Sequence, residues 1–139
     1  MNRIHAAIIS AIIATSLASC SESVIDPKKL VDTPTLNLCE MYYFASHPST
    51  YTTGTVWPGK QAAIKTELNR RNALTQEDWS AIDAGRPQAG ISECALRAVW
   101  GNPLNVYHKV TEAGDLTQYV YGLSRTVNLT NGQVKSIKY

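Results

Sequence analysis

The sequence is poor in the residues from which metal and nucleotide sites are built. Of its three histidines, His5 lies in the apolar start, which leaves His47 and His108. Neither CxxC nor HxxxH spacing occurs, so a zinc site has no ligand set to draw on. Gly54 and Gly59 stand alone, and no glycine-rich loop is present to cradle a phosphate. Charge of one sign is also lacking. Basic and acidic residues number 13 and 11, scattered apart from Lys28-Lys29 and Arg70-Arg71, which gives no basic stripe for nucleic acid. No internal repeat occurs. Catalytic groupings are equally sparse. Ser46-His47 with Ser49 sets a nucleophile beside a base, but neighbours in a Pro-containing loop do not build a triad. Glu40, Glu67, Asp78 and Glu93 fall on separate segments without paired-carboxylate spacing. No catalytic residue, metal, cofactor or small-molecule substrate is assigned.

What is present begins at the N-terminus. Arg3 supplies a positive charge, and Ala6 to Ala18 is almost wholly Ala, Ile and Leu. That run is too short to span a bilayer stably but suits the apolar region of a signal peptide. It ends in Leu17-Ala18-Ser19-Cys20, which resembles the bacterial lipobox. The resemblance implies that residues 1–19 are a lipoprotein signal peptide, removed before Cys20, and that the Cys20 thiol carries lipid (diacylglycerol and palmitate-type chains). Several acyl chains hold a protein firmly where one holds it marginally. Ser21, where Asp would be a retention signal in enterobacteria, implies the periplasmic face of the outer membrane. The membrane is thus the first expected partner.

After cleavage roughly 120 residues remain, enough for one domain with one core. Cys39 and Cys94 are left once Cys20 is used. In an oxidising compartment an isolated pair is most simply one disulfide, although two buried free thiols satisfy the sequence as well.

Residues 20–35 are polar with Pro27 and Pro34, which predicts a flexible tether. The domain is expected over 36–139. Leu36 to Ser46 is a dense apolar block, expected as a short helix burying Cys39. HPSTYTTGTVWPG then reads as a loop. Lys60 to Arg71 has helical composition, with Ala63, Ile64 and Leu68 on its apolar side. Thr75 precedes Gln76-Glu77-Asp78 as a cap with two acids in the first turn, and Gly85 and Pro87 stop that helix. Ser92 caps the next, which carries Leu96, Val99 and Trp100 on one stripe and ends at Gly101 and Pro103. From Leu104 the pattern changes to strands at Asn105–Glu112, Leu116–Tyr121, Arg125–Thr130 and Gln133–Tyr139. Asn131-Gly132 is a strong hairpin signal. The register stays open, because Val127 and Leu129 share a face while Val134 and Ile137, by simple alternation, do not. Helices first and strands after predict an α+β two-layer sandwich, with short helices packed on a three- to four-stranded antiparallel sheet.

Asn72-Ala73-Leu74-Thr75-Gln76, Trp79 and Ile82, Gly90-Ile91-Ser92, Gly101-Asn102-Pro103, Gln118-Tyr119-Val120-Tyr121 and Asn131-Gly132-Gln133-Val134 occur in this order. The order resembles the BamE (SmpA/OmlA) family of small outer-membrane lipoproteins over residues 72–139. The segment 36–71 and the cysteine pair lie outside that pattern. The resemblance implies two helices on a three-stranded antiparallel sheet and a part in outer-membrane assembly or integrity.

Aromatic residues are in surplus. Most are expected in the core, while Tyr42, Tyr43, Tyr51 and Trp57 are candidates for a protein-contact surface, since Tyr and Trp favour interface hot spots. The leading expectation is a non-enzymatic interaction module whose sheet or aromatic loop engages an envelope protein. The alternatives are an inhibitor or phage- or plasmid-type exclusion lipoprotein, and a small envelope hydrolase or wall-binding protein.

Overall fold

The computed structural model describes residues 27–47 and 58–139. The expected signal peptide, Cys20, Tyr51 and Trp57 lie outside the described residues. Among the described residues the elements run α1 (Pro27–Asp32), α2 (Thr35–Ser46), α3 (Pro58–Arg70), α4 (Gln76–Asp83), α5 (Glu93–Trp100), β1 (Asn105–Thr111), β2 (Gly114–Val120), β3 (Thr126–Thr130) and β4 (Gln133–Lys138). The strands form one antiparallel meander in the order β1-β2-β3-β4, and the fold is an α+β sandwich. No described helix is long and apolar enough to cross a membrane.

Local chemistry sets the helix ends. Thr75 Oγ1 accepts the Asp78 N–H at 3.1 Å, and Asp78 Oδ2 accepts the Thr75 N–H at 2.9 Å. This is a reciprocal capping box with Asp in the third position. Asp78 is only 2 % exposed, and its other oxygen accepts the Ser92 N–H at 2.8 Å, which ties the start of α4 to the start of α5. Ser92 in turn accepts the Ala95 N–H and caps α5. Gly101 ends α5 at φ +73°, and the Tyr43 ring fills the space a side chain would need there.

α5 is the shared element. Its Cys94 and Ala98 pack with Leu38, Cys39, Tyr42, Ile64 and Leu68 of α2 and α3. Its Ala95 and Leu96 pack with Ile91, Tyr119, Val127, Leu129 and Val134 on the sheet. Burial of each large aliphatic side chain here contributes about 1.5–3 kcal/mol. Cys39 and Cys94 are joined as a disulfide, with Cα atoms 5.4 Å apart, and this cross-link fastens α2 to α5.

Two expectations are corrected. The predicted tether, 20–35, is helical over Pro27–Asp32, and its residues 20–26 lie outside the described residues. Proline at the first helical position starts a helix instead of breaking one, because its missing N–H would be unpaired there anyway. Leu30 is 4 % exposed against α3. Arg71 donates to the carbonyls of Leu30, Val31 and Thr33 at 2.7–2.9 Å, so its guanidinium closes the C-terminal end of α1. The second correction concerns β4. Its register shifts between Asn128 and Leu129, so that Val127 faces Ile137 and Leu129 faces Val134. One extra residue, Lys135, is a β-bulge, and it turns Val134 and Ile137 onto the same face.

Candidate protein-interaction surface

Paired residues across an antiparallel ladder share a face. Val106, His108 and Val110 of β1 pair with Tyr119, Thr117 and Asp115 of β2. They therefore lie on the side of the sheet that carries the helices. Tyr119 is buried, yet Asn105 through Val110 are all exposed. The helices are seated on Tyr119, Val127, Leu129 and Val134. Strands lie about 4.8 Å apart and a helix is about 10 Å across, so a helix layer in that position leaves the far strand uncovered.

A polar seam marks where the helix layer stops. Arg97 donates to the Tyr119 hydroxyl at 2.8 Å, and that hydroxyl donates to Glu93. Arg97 and Glu93 are also an ion pair at 3.6 Å. Arg97 donates onward to Asn102, and Asn102 to Glu40 of α2. Burial, then the hydrogen bond to Glu93, pushes the Tyr119 phenol up to about 12. Burial and the neighbouring Tyr119 push Tyr121 higher than its ordinary value as well. The seam pairs Arg97 with Glu93 and leaves only the Arg97 Nε without a hydrogen-bond partner among its buried side-chain atoms, and it fixes α5 over β2.

Beyond the seam lies a shallow cleft of about 420 Å³ between the start of α5 and β1, lined by Glu93, His108, Val110, Asp115 and Thr117 among others. His108 Nδ1 is 3.0 Å from Thr117 Oγ1. No carboxylate among the described residues hydrogen-bonds His108, so this pair lacks the third group that orients a base in a triad. Among the described residues no three His, Cys, Asp or Glu side chains converge as metal ligands.

The two edges of the sheet differ. Along β4, Gly90 N–H donates to Val134 O at 2.8 Å, Val134 N–H to Ile91 O at 2.9 Å, and Glu93 N–H to Gly132 O at 2.8 Å. Residues 90–93 thus cover the start of that edge. β1 is the opposite edge of the meander. It has no proline or bulge to discourage pairing, and its one charged side chain is Lys109. Leu104, Val106, Tyr107, Val110 and Leu116 are all exposed on or beside it. A long, exposed strand edge with apolar side chains is a template for another chain.

Of the expected contact residues, Tyr42 belongs to the core. It is 4 % exposed, edge-on to Trp79 at 5.6 Å, with its hydroxyl accepting from Gln61 at 3.1 Å. Tyr43 is half-buried, stacked on His47 at 4.4 Å and packed on Gly101. α2 is apolar on nearly every side, so the sequence does not tell its buried face from its outer one. The β1 surface was missed. The available signal was that four hairpin-linked strands in a meander put the first of them at an edge of the sheet.

The described residues form a small disulfide-fastened α+β module with one sheet edge open among them. No known protein family, curated protein or solved structure matches the chain.

Proposed function

We propose that the protein is a lipid-anchored lipoprotein on the periplasmic face of the outer membrane, acting without chemistry as a protein-binding module. The β1–β2 hairpin is its docking surface. The observation that carries this is the contrast between the edges: β4 is covered at its start by residues 90–93, while among the described residues β1 is open along its length and flanked by exposed Leu104, Val106, Tyr107, Val110 and Leu116. A partner of matching chemistry is an extended segment alternating apolar and polar side chains, added as a further strand. In such pairing main-chain hydrogen bonds give affinity and side chains give specificity. The lipobox-like Leu17-Ala18-Ser19-Cys20 supports the anchor. The BamE-like order of motifs supports a place in outer-membrane assembly, and α4, α5 and the meander follow one another in that order.

Two measurements test this. Mass spectrometry of the full-length protein from its native envelope is expected to find Cys20 at the mature N-terminus carrying acyl chains; an unmodified Cys20 or a retained leader overturns the anchor. A photo-crosslinker placed at Val110 in that envelope is expected to trap a discrete protein adduct that the same probe at Lys135 does not. Absence of any adduct at Val110 overturns the docking surface.

A further inference from the structure

We infer that the segment fitting the open edge is β1 of a second copy of this chain, so that two sheets join antiparallel into one eight-stranded sheet with His108 on the two-fold axis. The inference rests on the β1–β2 hairpin being the docking surface. It comes from the symmetry of the strand itself. β1 reads Asn-Val-Tyr-His-Lys-Val-Thr from Asn105 to Thr111, with His108 at its centre. Antiparallel pairing about His108 sets Val106 against Val110 of the other copy twice over. It sets Tyr107 against Lys109 twice and Asn105 against Thr111 twice. Each valine meets a valine. No two ammonium groups face one another, and each Lys109 meets an aromatic ring, a favourable pairing for a cation. The two-fold interface is self-complementary, as a closed dimer requires.

The faces match as well as the pairs. Val106, His108 and Val110 lie on the helix-bearing side. In the joined sheet the two Val pairs extend the apolar layer that ends at Tyr119 and cover the cleft beside Glu93 and Thr117. Val110 is 81 % exposed and Tyr107 59 % exposed, which leaves both free to meet a partner strand. The opposite edge offers no such full-length template, because residues 90–93 already bond to Val134 and Gly132 at its start.

The test uses the full-length protein in mild detergent. Sedimentation is expected to show a concentration-dependent monomer–dimer equilibrium. Val110→Lys sets an ammonium against the apolar Val106 of the other copy, and it is expected to weaken association by roughly tenfold or more. At concentrations too low for dimer, its thermal melt should match that of the unaltered protein, since the side chain is exposed in the monomer and faces the opposite charge of Asp115. The register is read by His108→Cys. Residues opposed across an antiparallel pair have Cα atoms about 4.5–5.5 Å apart, within disulfide range. Mild oxidation is therefore expected to give a covalent dimer from His108→Cys but not from Ser136→Cys on β4 or from the unaltered protein. A strictly monomeric protein at ~100 µM, far above the micromolar affinities of specific complexes, or no covalent dimer from His108→Cys, overturns self-pairing. A probe at Val110 that traps a foreign protein and never its own copy also overturns it while leaving the docking surface in place. A probe that traps neither removes both.

Discussion

Breaking the Cys39–Cys94 cross-link should remove a large part of the stability. The bond closes a loop with a sequence separation of 55. Loop-closure entropy assigns such a loop about 4 kcal/mol, against a total of about 5–15 kcal/mol for an ordinary domain. Reduction keeps both sulfurs in place, so comparing the oxidised and reduced protein isolates the cross-link from packing. With a urea slope of roughly 1.5 kcal/mol per molar, the midpoint should fall by roughly 2.5–3 M. Cys39→Ala with Cys94→Ala should fall further by about 1–2 kcal/mol, because it also leaves small cavities among Leu38, Ile64 and Leu68. Trp79, against α2, and Trp100, against Tyr121, report the two halves of the molecule. The assay is fluorescence-monitored urea unfolding at fixed pH with and without reductant. A midpoint that moves by less than about 1 kcal/mol equivalent refutes the reasoning, since it means that α2 stays near α5 in the unfolded chain without the bond.

Arg71→Met leaves the α1 carbonyls without their donor and should free α1 locally. Hydrogen exchange at residues 28–33 is expected to speed up by tenfold or more, since a charged donor contributes about 1.5–3 kcal/mol per bond, while the sheet amides stay protected. Arg70 and Arg71 hold the Glu67 carboxyl down at about 2 from an ordinary 4.5. A lowered value means that this contribution is complete above about 4.5 and is lost as the pH falls towards about 2, so an acid titration of α1 protection should show its loss in that window. Gly101→Ala forces a side chain onto the Tyr43 ring at 2.8 Å with φ at +73°. It should destabilise by about 2–3 kcal/mol, read as a lower thermal midpoint, whereas Gly132→Ala meets open space and carries backbone strain alone. In ultraviolet titration of the folded protein, Tyr119 should stay protonated up to about 12. Its raised value means that its contribution is intact below the ordinary 10.0 and is lost as the pH rises through about 12, so alkaline unfolding should coincide with release of the last phenols.

The parts of the fold that were legible in the sequence are those written in short-range chemistry. Thr75 and Ser92 as caps, Gly101 as a helix stop, and Asn131-Gly132 with φ of +50° and +74° each depend on a few neighbouring residues. The disulfide was legible because the lipobox-like resemblance set Cys20 aside and left Cys39 and Cys94 as an isolated pair. The register of β4 was not, because a bulge at Lys135 breaks the period of two on which any alternation argument rests. α1 was hidden for another reason. Leu30 and its exposed neighbour Val31 make no helical apolar stripe in a mostly polar stretch, and the group that docks the segment, Arg71, is about forty residues away in sequence. The open β1 edge was hidden in the same way. Val106 and Val110 alternate as buried strand residues do, and only the seating of α5 decides that nothing covers them.

Docking of α1 also fixes the length of the leash. With Cys20 held by lipid as proposed, six residues separate it from Pro27, and even drawn out straight they reach about 24 Å. A leash running to Thr35 would reach about 50 Å. The short one confines the module to a thin shell above the lipid headgroups, where two such proteins diffusing in the plane meet at a raised effective concentration. With that anchor in place, Arg71, by holding α1 on α3, would set how far the domain can rise from the bilayer.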